Sequence, residues 1–255
     1  IWDLSKRTVH YDCLHWCGYI RSLLDVAEYT DDKRTRNKYQ QEALLALQRG
    51  KFDEYLHRLD EDFDVEIFGR IMNARVNAID GKMLDAKKHL VRSQWAIEEK
   101  YQTPPIAFIP DSIKVMYDLG EFEDALKLQE VLKNSEGNLD PNSRFLLSKE
   151  QHNSKQNFAN YQQFNREGIK YYQQGKYEQA KAAFALAQGF APVNTGVTLN
   201  LLQCLLQLLL KSDKPSREMM LECRKLFKLI DDMPLKQQHA EKYQTLRQEL
   251  DQIIG

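Results

Sequence analysis

Glycine and proline are both scarce in this chain of 255 residues, at 11 and 7. That composition excludes the turn-rich sandwiches and barrels, which need a Gly or Pro breaker after every short strand. Cysteine is scarcer still, with four residues. This is too few for a disulfide scaffold and fits a reducing cytosol, so a cytoplasmic location is expected. An excess of charge of one sign is also missing. The formal net charge of −1 supplies no basic surface for nucleic acid, because clusters such as Lys33-Arg34 are offset by runs such as Asp60-Glu61-Asp62. No apolar run approaches the ~20 residues that cross a bilayer. The longest, Leu199 to Leu210, is interrupted by Asn200, Gln203 and Gln207 at a helical rhythm and reads as a buried helix. The first residue is Ile1 rather than Met, from which we expect a piece of a longer chain.

What remains favours helix throughout. Leu, Gln, Lys, Glu and Ala, the residues that lose least on entering a helix, are abundant. Ala43, Leu44 and Leu47 form one apolar stripe and Phe52, Leu56 and Leu59 the next, at spacings of three and four. Between them lies Arg49-Gly50-Lys51, read as a turn with a helix-ending Gly. The same phrase recurs as Asp80-Gly81-Lys82-Met83, Leu119-Gly120-Glu121-Phe122 and Gln174-Gly175-Lys176-Tyr177. Five residues after each Gly stands Tyr55, Ala86, Ala125 or Ala180, and four further on Leu59, Leu90, Gln129 or Phe184. A small side chain there lets two antiparallel helices approach, and the large one fills the space between neighbouring pairs.

Within residues 161–194, Gly168, Tyr171, Gly175, Tyr177, Ala180, Phe184, Ala187 and Pro192 follow one another at the spacing of a tetratricopeptide repeat, and the segment resembles that family over its full length. The copies around Gly50, Gly81 and Gly120 are degenerate, with Ala43, Ala74 and Ile113 where Gly168 stands. The resemblance implies an all-α, tetratricopeptide-like α-solenoid of about five to six antiparallel helix pairs. We place degenerate repeats over 1–133, a polar linker or irregular segment over 134–160 with a helix from Arg144 onward, and a repeat, a Leu-rich pair and a closing helix over 161–255. Asn165-Arg166-Glu167-Gly168-Ile169, Thr198 to Gln203 and Glu222-Cys223-Arg224 are similar to the tail of proteobacterial response regulators that join a receiver domain to such an array. That similarity implies the effector arm of a two-component system.

No catalytic signature stands in a suitable setting. The glycines are isolated, one per turn, so none cradles a phosphate. No Ser/His/Asp or Cys/His arrangement sits at a strand–turn–helix junction, and we expect no enzyme activity and no cofactor. His10, Cys13, His15 and Cys17 are metal-ligating types at close spacing. On a helix His15 leaves the face shared by the other three, and small thiols are ordinary packing; no metal site is expected. Cys204 and Cys223 read as buried thiols of the Leu-rich pair.

The expected function is therefore a protein or peptide scaffold. In a helix-pair array the first helix of each pair lines the concave face, and that face binds. In this register Arg75, Lys114, Tyr117, Asn165, Tyr172, Asn200 and Gln203 point inward. Cations, tyrosines and amides together suit an extended peptide or a helix. An RNA-binding array and self-association through the Leu-rich end are the alternatives, with no membrane partner in either.

Overall fold

The computed structural model describes residues 8–51, 64–133, 141–212 and 216–254. Among these residues there are eleven α-helices and no strand. In chain order they are α1 (Thr8–Tyr29), α2 (Lys33–Lys51), α3 (Val65–Ile79), α4 (Met83–Lys100), α5 (Ile109–Leu119), α6 (Phe122–Lys133), α7 (Pro141–Gln173), α8 (Tyr177–Phe190), α9 (Thr195–Lys211), α10 (Arg217–Asp231) and α11 (Gln237–Ile254). A 3-10 turn over Ile106–Phe108 precedes α5.

The helices begin and end for local reasons. Asp64 caps α3, accepting from the amides of Glu66 at 2.8 Å and Ile67 at 3.0 Å. Asn194 caps α9 through the Val197 amide, and Ser216 caps α10 through that of Met219. At the other ends, Gly81 and Gly175 adopt φ of 73° and 71°. Each closes its helix with the same two bonds: Gly81 N–H to Ala78 and Lys82 N–H to Asn77, then Gly175 N–H to Tyr172 and Lys176 N–H to Tyr171. This is the Schellman arrangement, in which a left-handed Gly lets the chain turn back at once.

Not every turn glycine behaves this way. Gly50 lies within α2, which continues to Lys51, against the expectation of a turn. A Gly within a helix costs only about 1 kcal/mol relative to Ala, so it breaks a helix only where the chain must reverse. The stripe expected at Phe52, Leu56 and Leu59, with Tyr55, lies outside the described residues. So do residues 134–140. From Pro141 the segment expected as a polar linker is part of one 33-residue helix. Pro suits the first helical position, and the Lys, Glu and Gln that follow are sound helix formers despite their low apolar content.

The chain divides into two units, Ile1–Asp118 with Glu123–Lys149, and Leu119–Phe122 with Glu150–Gly255. In the first unit, α1 packs on α2 and α3 on α4. Their core joins Cys17, Ile20, Leu24, Ala43 and Leu47 to Phe68, Ile71, Met72 and Ile97. Trp16 spans it, its ring 5.4 Å from Phe68 and its indole N–H donating to the Ala46 carbonyl at 3.3 Å. Lys100, at the end of α4, pairs with the α3 cap Asp64 at 2.9 Å, so the two helices run antiparallel.

In the second unit, α9 packs on α8, α10 and α11. Leu199, Leu202, Leu205, Leu206 and Leu209 are buried there with Phe184, Phe227 and Tyr243. A Cβ at Gly168 would stand 2.6 Å from the Phe184 ring, so only Gly lets α7 seat that aromatic. Gly120, at φ 73°, lies against the Ala191 backbone, with the Asn194 amide reaching the Glu121 carboxylate at 3.2 Å. The far end is locked by Asp231, which accepts from the Tyr243 hydroxyl and from Arg247 at 2.8 and 2.6 Å.

Candidate functional site

Four of the seven inward-read residues belong to the second unit, two on α7 and two on α9. Tyr172 sits in the last turn of α7, half-buried, its ring 5.2 Å from Tyr177. Burial, and then Tyr177, raise its pKa above the ordinary phenol value, while a hydrogen bond from the Gln203 amide opposes them. Gln203 and Asn200 lie one turn apart on α9, both half-buried. Asn200 Oδ1 accepts from Lys242 Nζ of α11 at 2.8 Å. The middle helix thus ties both neighbours through side-chain amides, towards Tyr172 on one side and Lys242 on the other. Asn165 lies on the same stripe of α7, two turns before Tyr172, and its Oδ1 is buried with no hydrogen-bond donor.

The charges on this stripe are not balanced. Lys242 is half-buried and bonded to an amide, not to a carboxylate. Burial pulls its pKa below the ordinary lysine value, with Cys204 acting against that. Glu249, seven residues further along α11, acts electrostatically on the Tyr172 phenol, and its Oε2 is buried with no donor. Neither residue was among those read as inward-facing. The Lys–Glu spacing of seven on a polar closing helix was the available signal, and most charged helices carry such pairs on solvent faces.

Arg75, Lys114 and Tyr117 belong to the first unit, and two of them require a correction. Arg75 and Lys114 each have 1% of their side chains exposed, so they offer no cationic surface to a partner. Arg75 bonds Asp111 at 3.0 Å and Asp25 at 2.7 Å, with Glu28 at 3.6 Å. Lys114 bonds Glu28 at 2.5 Å and Asp118 at 3.0 Å. Arg21 completes the cluster, bonding Asp111 and the Ala107 carbonyl at 2.7 Å each. A buried guanidinium must be paired to persist. Burial opposes the Arg75 charge, but Asp111 and Asp25 outweigh it and hold the pKa above its ordinary value.

Among the described residues this cluster holds three cations and four carboxylates. Burial first, and then Glu28, raise the Asp118 pKa despite Lys114 beside it. The signal missed in the sequence was the run Arg21, Asp25, Glu28 on α1, next to the buried Ile20, Leu24 and Ala27. Tyr117 is half-buried on α5.

The remaining candidates are simpler. His15 is exposed whereas Cys17 is buried, so the two point apart; the side chains of His10 and Cys13 lie outside the described residues. Cys204 and Cys223 are buried free thiols, pushed up by burial to about 12 and about 11, which keeps them protonated and unreactive at neutral pH. The Leu-rich helices bury most of their leucines but leave Leu210 and Leu221 exposed. Among the described residues no helix is long and apolar enough to cross a membrane. No family model, curated protein or solved structure matches the chain.

Proposed function

We propose that this chain is a non-enzymatic protein-interaction module, a tetratricopeptide-like array of helix pairs whose second unit carries the partner-binding face. The observation that carries this reading is the half-buried stripe of Tyr172, Gln203, Asn200 and Lys242, in which an unpaired ammonium meets amides and an aromatic. Such groups are costly to hold in a fold and useful at an interface, where aromatics anchor and amides bond a peptide backbone. The recurring left-handed Gly joints at Gly81, Gly120 and Gly175, with the Gly168–Phe184 contact, support the helix-pair reading. The resemblance to receiver-linked arrays adds the proposal of a cytoplasmic signalling partner.

Photo-crosslinking tests the face. A benzophenone side chain at Gln203 is expected to give a discrete partner adduct in cell extract, and one at the exposed Arg224 of α10 is expected to give none. Equal adducts at both positions, or none at Gln203, would remove the stripe as the binding face.

A further inference from the structure

We infer that the second unit recognises an extended peptide carrying an acidic and a basic side chain three positions apart, the acid at Lys242 and the base at Glu249. The inference rests on the interaction reading above and specifies its ligand. Its starting point is that two opposite charges on one face of α11 each lack an ionic partner. Lys242 Nζ is satisfied only by Asn200 Oδ1 at 2.8 Å, and Glu249 Oε2 is buried without a donor. Half-buried charges without counter-charges destabilise a fold, which explains the lowered Lys242 pKa. A ligand that brings both counter-charges at once removes both penalties.

Geometry sets the spacing. Residues seven apart on a helix lie on one face, about 10.5 Å apart along its axis. A polyproline-type segment has three residues per turn and a rise of about 3.1 Å, so its side chains at i and i+3 project together about 9.3 Å apart. The α9 amides, one of them bonded to Lys242, select such a backbone over a helix. Asn200 uses its oxygen on Lys242 and leaves an N–H₂ donor; the half-buried Gln203, one turn further on, offers its amide oxygen as an acceptor. One donor and one acceptor a turn apart match the free C=O and N–H of an extended chain, which a helix has already spent internally.

Three acetylated and amidated octapeptides test this against the full chain by fluorescence anisotropy: Pro-Pro-Asp-Ala-Pro-Lys-Pro-Pro, the same with Asp and Lys exchanged, and a neutral version with Asn and Gln. One charged order is expected to bind at least roughly tenfold tighter than the other two, the size of one charge-assisted hydrogen bond. The double variant Lys242→Glu with Glu249→Lys is expected to invert the preferred order. Should that variant fail to fold, the isosteric Glu249→Gln is expected to keep the melting temperature and reduce the order preference at least threefold, a fall of roughly 0.6 kcal/mol. Equal binding of all three peptides, no binding of any at about 1 mM, or an order preference untouched by the variants would overturn the inference. In each case the Gln203 crosslink still decides whether the face binds protein, so the two readings fail separately.

Discussion

The two units each send polar side chains from a central helix towards its neighbours and use them in opposite ways. In the first unit the central helix α3 sends Arg75 between α1 and α5, where Asp25, Glu28 and Asp111 surround it. In the second the central helix α9 sends Asn200 and Gln203 towards α11 and α7. In the first cluster the cations are buried and each meets a carboxylate, although Arg75 Nε and Glu28 Oε2 keep no hydrogen bond. The second is half-buried and keeps hydrogen-bonding capacity and charge in reserve. The lesson concerns compensation: an inward-facing polar residue marks a binding surface only when the fold leaves it something to bind.

The sharpest way to break this contrast is to remove a central residue from each unit. Arg75→Ala leaves the buried Asp111 with Arg21 alone and removes the cation from the partly exposed Asp25; breaking a buried pair costs about 3–5 kcal/mol, an upper figure where Arg21 remains. Denaturant unfolding should show a large fall in midpoint. Lys242→Met removes a charge that burial already disfavours, and its stability should stay within about 0.5 kcal/mol of the parent or rise. A comparable loss from both substitutions would make the second stripe as structural as the first.

The glycine joints sharpen the comparison at the level of the backbone. Gly81 and Gly120 share φ of 73°, but a Cβ at Gly81 meets nothing within 4 Å, whereas one at Gly120 meets the Ala191 backbone. Gly81→Ala should therefore cost only the left-handed strain, about 1–2 kcal/mol. Gly120→Ala should cost that and roughly 1–3 kcal/mol more for the forced displacement. Paired thermal melts of the two variants separate strain from crowding; identical losses would mean that the Ala191 turn yields freely.

Much of this architecture is written in local sequence, and the failures share one cause. The helices follow from apolar spacing, and three turn glycines follow from the need for a left-handed residue at a tight reversal. Gly50 stands in a similar phrase, yet it and Lys51 are still helical, so the motif alone does not fix where a helix ends. For the site, the helical phase of Arg75 and Lys114 was legible, since both do face inward. Their burial was not, because it depends on Asp25, 50 residues from Arg75, and on Asp111, 90 residues from Arg21. For Asn200, Gln203 and Tyr172 the helical rhythm gives only the phase, and the structure leaves all three half-buried. Lys242 was not legible, because only tertiary packing turns one lysine of a polar helix away from its acidic neighbours.

The smallest predicted effect tests the charge count of the buried cluster. With four carboxylates against three cations, Asp118 has a folded pKa above its unfolded value near 3.8. Such a carboxyl holds more protons in the folded state, so its contribution to stability rises as pH falls through the folded pKa towards the unfolded one. Asp64 and Asp80 are shifted the other way. Burial opposes both shifts, but the Ile67 amide and Lys100 lower Asp64, and Lys82 and Gln40 lower Asp80. Their contribution is present above the unfolded pKa and is lost as pH falls below it. The parent should therefore gain slightly on mild acidification before it loses stability below about pH 4. Asp118→Asn keeps a hydrogen-bond acceptor for Lys114 and removes the excess charge. Its stability, read from urea unfolding, should vary less than the parent's as pH falls from 7 towards the unfolded pKa near 3.8, by a few tenths of a kcal/mol up to about 1. A variant that retained the full acid-side gain would show that Asp118 does not carry the surplus proton.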